Sequence, residues 1–295
     1  MPGVSRQRRA TSRGGTHGNA KLVVALAGCV ATPVATNFES DRQLCNSDGT
    51  DPDVAIGACT RQIQSDRWAG RNLAVSFYNR GIAHGQKGQD DPAIQDYSQA
   101  IRLNPDHSSA FNIRGNAYKR KGQFDRAIQD YTAALRIKSD NHGTYFNRAL
   151  AYSRKGQYDR AIEDYTAALR IKSDKHGAYL NRGNAYFSKG QNHRAIRDYT
   201  AALRIKPDKY GALNGRGIAY TKIGQYQKAI SDFDRALQIN PRYARAYGNR
   251  GAAHEGLGQR DRAVRDFKKQ YELGHRNAWI KDKLKKYGID HKSLD

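Results

Sequence analysis

The chain has 295 residues, and 51 Lys or Arg against 28 Asp or Glu give it a formal net charge of +23, a surplus that attracts phosphate, acidic protein or anionic membrane surface. Its three cysteines show no CxxC spacing, and its nine histidines are scattered, with His107, His142 and His176 at unit junctions and no Cys, Glu or second His at metal-ligand spacing from them, which argues against a dithiol redox motif and a metal centre. With no GxSxG, HExxH, Walker or GxGxxG element either, the sequence assigns no catalytic residue, no cofactor and no metal.

Residues 1–35 read as a secretory signal. Arg6, Arg8, Arg9, Arg13 and Lys21 stand there without an acid, Leu22 to Val30 is apolar, and small residues continue to Ala35. The apolar core is too short to span a membrane. Ala10 and Thr11 follow Arg8-Arg9 where a twin-arginine signal wants apolar residues. Two processing routes stay open: cleavage near Ala31 to Ala35, or acylation of Cys29, because Leu26-Ala27-Gly28-Cys29 resembles a bacterial lipoprotein site. Both export the chain. The expected compartment is the periplasm, with a lipid anchor if Cys29 is acylated.

Residues 36–73 read as a degenerate half repeat and linker. Asn37 to Thr50 is polar and weakly patterned, a loop with one turn of helix. Pro52 to Ile63 echoes the second helix of a repeat: Ala55-Ile56 stands 38 residues before Ala93-Ile94, one period plus four residues inserted around Arg67 to Arg71. Cys45 and Cys59 are an even pair of thiols in an oxidising compartment. A bridge between them closes a loop of about 15 residues, for which chain entropy gives roughly 3 kcal/mol; two buried thiols are the alternative.

From Ala74 a 34-residue period governs the chain, with units at 74–107, 108–141, 142–175, 176–209, 210–243 and 244–277. Ala127 to Lys138 returns with few changes as Ala161 to Lys172 and Ala195 to Lys206. A fixed period of this length signals stacked units, since no single unit can bury its own apolar face. Within a unit, Phe111, Gly115 and Tyr118 share one helical stripe, and Ala127, Tyr131, Ala134 and Leu135 another. Gly122 can end the first helix in the left-handed conformation, and Asp125 is the expected cap of the second. Six columns recur: a small residue (Gly115), a tyrosine (Tyr118), a turn glycine (Gly122), an alanine (Ala127), an aromatic (Tyr131) and a second alanine (Ala134). Three positions depart: His84 and His254 in the tyrosine column, Gln270 in the last alanine column. Residues 278–295 form a capping helix and tail, with Ile280, Leu284 and Tyr287 on one side and Gly288 as the stop.

This order of columns, with Pro105, Pro207 and Pro241 closing units, resembles the tetratricopeptide repeat. The resemblance implies an all-α, right-handed superhelical solenoid of antiparallel helix pairs. It also implies that first helices line a concave groove that binds peptides or partner domains.

One column departs from the family's pattern. Arg80, Arg114, Arg148, Arg182, Arg216 and Arg250 precede the small residue, and Asp96, Asp130, Asp164, Asp198, Asp232 and Asp266 precede the aromatic. Facing helices bring each such pair to one level, so a six-rung ladder of bidentate ion pairs is expected. The alternative makes the arginines carboxylate or phosphate hooks in the groove.

First-helix residues outside the core are the groove candidates: Tyr78 and Ile82; Asn112, Asn116, Lys119 and Arg120; Phe146, Leu150 and Arg154; Leu180, Asn184 and Phe187; Asn214, Ile218 and Lys222. Amides can bond a peptide backbone, cations an acidic side chain, and the apolar residues offer shallow pockets. Tyr78 and Asn112 occupy the places where chaperone-associated members carry lysines of a carboxylate clamp, so that subclass is not expected. On the opposite side Arg126, Arg160 and Arg194, Arg136, Arg170 and Arg204, and Lys138, Lys172 and Lys206 make three basic rows. The expected function is a non-enzymatic scaffold for a peptide or protein partner. A basic array docking on anionic lipid or polymer is the alternative, and a nucleic-acid binder, which export would remove from its target, the third.

Overall fold

The computed structural model describes residues 38–294, apart from residues 48 and 66; the expected signal and Cys29 lie outside these residues. Among the described residues there are fifteen α-helices, a closing 3-10 turn at His291–Leu294 and no strand. The helices come in pairs: α1 (Phe38–Asn46) with α2 (Pro52–Gln64), α3 (Gly70–Gln86) with α4 (Asp90–Leu103), α5 (Ser108–Arg120) with α6 (Phe124–Ile137), and α7 (His142–Arg154) with α8 (Tyr158–Ile171). Then follow α9 (His176–Ser188) with α10 (Asn192–Ile205), α11 (Tyr210–Lys222) with α12 (Tyr226–Ile239), α13 (Ala244–Gly256) with α14 (Arg260–Glu272), and the single α15 (Ala278–Lys286).

Local chemistry fixes each hairpin. In the second unit Gly122 takes φ +72°, which lets Gln123 N donate to Tyr118 O at 2.9 Å and Gly122 N to Lys119 O at 3.1 Å, closing the carbonyls of α5. The cap of α6 differs from expectation. Gln123, not Asp125, stands at the N-cap without a side-chain bond, and Asp125 lies inside the first turn, where its carboxylate takes the Lys155 ammonium of the next unit. The small and aromatic columns meet across the hairpin: a Cβ on Gly115 would lie 2.8 Å from Tyr131 Cε1, and one on Gly217 2.6 Å from Phe233 Cε1. Ala127, Tyr131, Ala134 and Leu135 are accordingly buried.

Each second helix packs on the first helix of the following unit, and consecutive first helices also touch, α5 with α7, α7 with α9, α9 with α11 and α11 with α13. Consecutive second helices make few contacts or none. The first helices therefore form the tighter side of the stack.

The ends carry two corrections. Phe38–Asn46 is a nine-residue helix and not a loop, so residues 38–64 form a whole helix pair instead of half of one. It is held by the Cys45–Cys59 disulfide, Cα to Cα 5.0 Å, and by Arg61, which donates through Nε and NH2 to Asp41 at 3.0 and 2.6 Å. The four inserted residues do not make a linker before Ala74; α3 begins at Gly70 and has 17 residues where the other first helices of the repeat units have 13. At the far end Ile280 and Leu284 bury against Ala263, Phe267 and Tyr271, and Asn277 caps α15 by accepting from Ile280 N at 3.1 Å. Gln270 fits its alanine position because Gly248 faces it; a Cβ there would stand 1.6 Å from Gln270 Oε1.

Candidate partner-binding surface

The arginine column is bound into the frame. In all six units Nε donates to Oδ2 and NH2 to Oδ1 of the aspartate sixteen residues on, at 2.7–2.8 Å. The carboxylates are buried, and in the last two units the Asp232 and Asp266 carboxylates hold the Arg216 and Arg250 guanidinium groups above their ordinary pKa. A column that the sequence reading missed completes the link. NH1 of each arginine reaches back to the preceding second helix, twenty residues to Thr60 at 3.1 Å in the first unit and sixteen in the others, to Ser98 at 2.9 Å, Thr132 at 3.0 Å, Thr166 at 2.9 Å, Thr200 at 3.0 Å and Asp234 at 2.6 Å. Each arginine thus ties its own second helix to that of the unit before. Its donors face protein acceptors on both sides, which leaves the hook alternative without a free fork.

A second ladder runs through the turns. Lys87, Lys121, Lys155 and Lys189 bind Asp53, Asp91, Asp125 and Asp159 of the preceding hairpin. It stops where Ile223 and His193 replace the pair, and one unit later Leu257 and Gln227 do so. Beside the first ladder the tyrosine column lies between cations: Arg114 and Arg126 over Tyr118, Arg148 and Arg160 over Tyr152, Arg216 and Lys228 over Tyr220, all within 6.0 Å. Arg194 covers Tyr186 likewise. One of the three basic rows is therefore packed on tyrosine faces, while Arg136, Arg170, Arg204, Lys138, Lys172 and Lys206 are exposed. In the end units His84 and His254, which stand for tyrosine, share Nδ1 with Gln89 and Gln259 at 2.7 Å.

The groove candidates divide. Asn116 and Asn184 accept from the hydroxyls of Tyr131 and Tyr199 at 2.8 Å, and burial lifts these phenols well above their ordinary pKa. Tyr165, without an asparagine, pairs with Ser153 at 3.5 Å and is pushed up by burial to about 12. Asn112 accepts from Thr144 at 3.1 Å; Lys119 donates to Asn147 at 2.9 Å, and Arg120 to Asp90. Asn214 is buried and accepts from Asn249 at 2.9 Å, so it stands behind the face rather than on it. Tyr78 lies against His107, ring centroids 4.6 Å apart, and Ile82 borders a small cavity with Asn46 and Asn79. Phe146, Leu150, Leu180, Phe187 and Ile218 are half-buried, each packed on the core from the first-helix side. Arg154 and Lys222 are exposed at the ends of their helices. The face offers apolar ground with basic margins. Its amides serve mainly the protein's own tyrosines and neighbouring helices.

Models of the tetratricopeptide repeat match residues 74–107, 97–129, 210–243 and 244–273, and a TPR repeat model matches 115–156, 151–190 and 183–224. The chain belongs to the tetratricopeptide repeat family. Among solved structures, MamA is 30% identical over 55% of this chain and 94% of its own, with a TM-score of 0.53. A tetratricopeptide repeat protein from Parabacteroides merdae is 20% identical over 84% of this chain and 96% of its own, TM-score 0.59. YrrB, described as a TPR protein with an unusual peptide-binding site, is 20% identical over 64% and 97%, TM-score 0.57. Comparison with curated proteins gives no match. Among the described residues of this tetratricopeptide repeat protein no helix is long and apolar enough to cross a membrane.

Proposed function

We propose that the chain is a non-enzymatic interaction scaffold of the bacterial envelope, which binds a peptide or protein partner along the face made by its first helices. The observation that carries this reading is the close packing of consecutive first helices beneath half-buried Phe146, Leu150, Leu180, Phe187 and Ile218. Such a face gives an extended segment apolar contact along several units. The peptide-binding site named for YrrB supports the same use of the fold. Panning a random-peptide library on the protein tests it. Enriched peptides should slow hydrogen exchange at the ends and exposed faces of α5, α7, α9 and α11; failure to enrich any peptide over a control protein, or protection on the second helices alone, would overturn it.

The envelope assignment is supported by the signal-like residues 1–35 and by the Cys45–Cys59 bridge, which persists in an oxidising compartment. Mass spectrometry of the native N-terminus checks it: a start between residues 30 and 36, or an acylated Cys29, is expected, and a chain that keeps residues 1–29 contradicts export. The exposed arginines and lysines at the second-helix ends, beside exposed Ile137, Ile171 and Ile205, favour docking on an anionic surface as a second reading. Partner binding that disappears at high salt would support it over the groove.

A further inference from the structure

The junction of the third and fourth units differs from its neighbours. Elsewhere a side chain closes the gap between consecutive first helices near their N-termini. Tyr78 lies on His107 at one junction, Asn112 is bonded to Thr144 at the next, Leu180 packs on Leu203, Ala212 and Leu213, and Asn214 is bonded to Asn249. Between α7 and α9 no such closure exists. Ala178 stands where Thr144 stands one unit earlier, and Gly177 has no side chain to set against Phe146, whose ring is turned to Tyr165 at 5.7 Å. The result is a cavity of about 240 Å³ with an almost wholly apolar wall, floored by Ala168 and rimmed by His142, His176 and Lys175. Pockets for drug-sized molecules start at roughly 300 Å³, so the space suits a single side chain.

The rim is cationic. Lys175, Lys206 and Lys209 all act on the His176 imidazole, against Asp208 alone; burial and these lysines together lower its pKa. The fourth unit carries the highest net charge of the six, since Arg197 and His193 replace the acids found in the third. We infer that this cavity is the anchor point of the groove, taking one aliphatic or aromatic side chain from a segment whose neighbouring residues are acidic. The inference rests on the groove reading and specifies its partner: apolar contact supplies the anchor, and the lysines select the flanking carboxylates and speed their encounter.

Gly177 provides the test, because a Cβ there would meet Phe146 Cζ at 4.0 Å, ordinary contact, so Gly177→Leu fills the cavity without straining the helix. Fluorescence anisotropy with three labelled heptapeptides decides: glutamates around a central leucine, glutamates around a central glycine, and lysines around a central leucine. The protein should bind the first about tenfold tighter than the second, from burial of one leucine, and should not bind the third. Gly177→Leu, with its melting temperature as the folding control, should bring the first two within about twofold, and Lys175→Glu should weaken both. Equal affinity for the leucine and glycine peptides in the unaltered protein, or a leucine preference that survives Gly177→Leu, would overturn the inference. Library peptides that protect the first helices but lack an apolar residue among acids would sink the anchor and leave the groove standing; absence of any groove-binding peptide would sink both.

Discussion

Arg148 donates to Asp164 in its own unit at 2.7 and 2.8 Å and to Thr132 in the preceding unit at 3.0 Å, so one guanidinium joins three helices. Asp164→Ala would strand a largely buried cation and should cost roughly 3 kcal/mol in urea denaturation, while Thr132→Val, which removes a neutral partner, should cost about 1 kcal/mol. Replacing both ion-pair members together, Arg148→Met with Asp164→Leu, should recover most of the loss. If the double variant is as unstable as Asp164→Ala, the rung does more than compensate its own burial.

The meeting of small and large columns predicts an asymmetric pair of substitutions. Gly217→Ala puts a methyl 2.6 Å from the fully buried Phe233 ring and should destabilise by about 1–3 kcal/mol. Gly211→Ala, which has open space around it, should be neutral or slightly stabilising. Urea midpoints of the two variants check the contrast.

Glu255 ties the capping helix down. Burial alone would raise its pKa, but Lys283, Lys286 and the Tyr287 hydroxyl, which donates at 2.9 Å, hold it at about 2. A carboxyl depressed in the folded state contributes stability that is complete above its unfolded pKa and lost as pH falls through the folded value. Exchange protection of α15 should therefore decline between about pH 4.5 and pH 2. In Glu255→Gln it should be weaker at pH 7 and lose that slope, and an unchanged slope would contradict the anchor.

The Cys45–Cys59 bridge closes a short loop within the first helix pair, so reduction should remove about 3 kcal/mol from that pair alone. Hydrogen exchange under reducing conditions should show α1 and α2 opening first while α5 to α12 keep their protection. Uniform loss along the chain would contradict the nearest-neighbour character of the stack.

How far the residues foretold this architecture follows from repetition. The 34-residue period makes each hairpin visible six times, and the Arg and Asp columns stand out because both are charged and invariant in register. The acceptors Ser98, Thr132, Thr166 and Thr200 share that register, each one residue after the aromatic, while Thr60 in the first helix pair follows Cys59. Their signal is weaker because a hydroxyl on a helix is unremarkable until an arginine is known to reach it. Helix α1 was illegible for a different reason: Phe38–Asn46 has little apolar periodicity and is held by contacts distant in sequence, Cys45 and Asp41 with α2 and Asn46 with Asn79 of α3. The asparagines looked free on the first-helix face because one strand of text cannot show that Asn116 stands over the Tyr131 hydroxyl. The anchor cavity could be read from the Gly177-Ala178 pair only after Phe146 was known to face it.

Whether partners meet this molecule on its first helices is tested most directly by photo-crosslinking in the native cell. A benzophenone amino acid at position 154 or 222, both exposed on that side, should trap a partner, and the same probe at position 160 or 194 on the second helices should not. Adducts formed from positions 160 and 194 but absent from 154 and 222 would contradict the account.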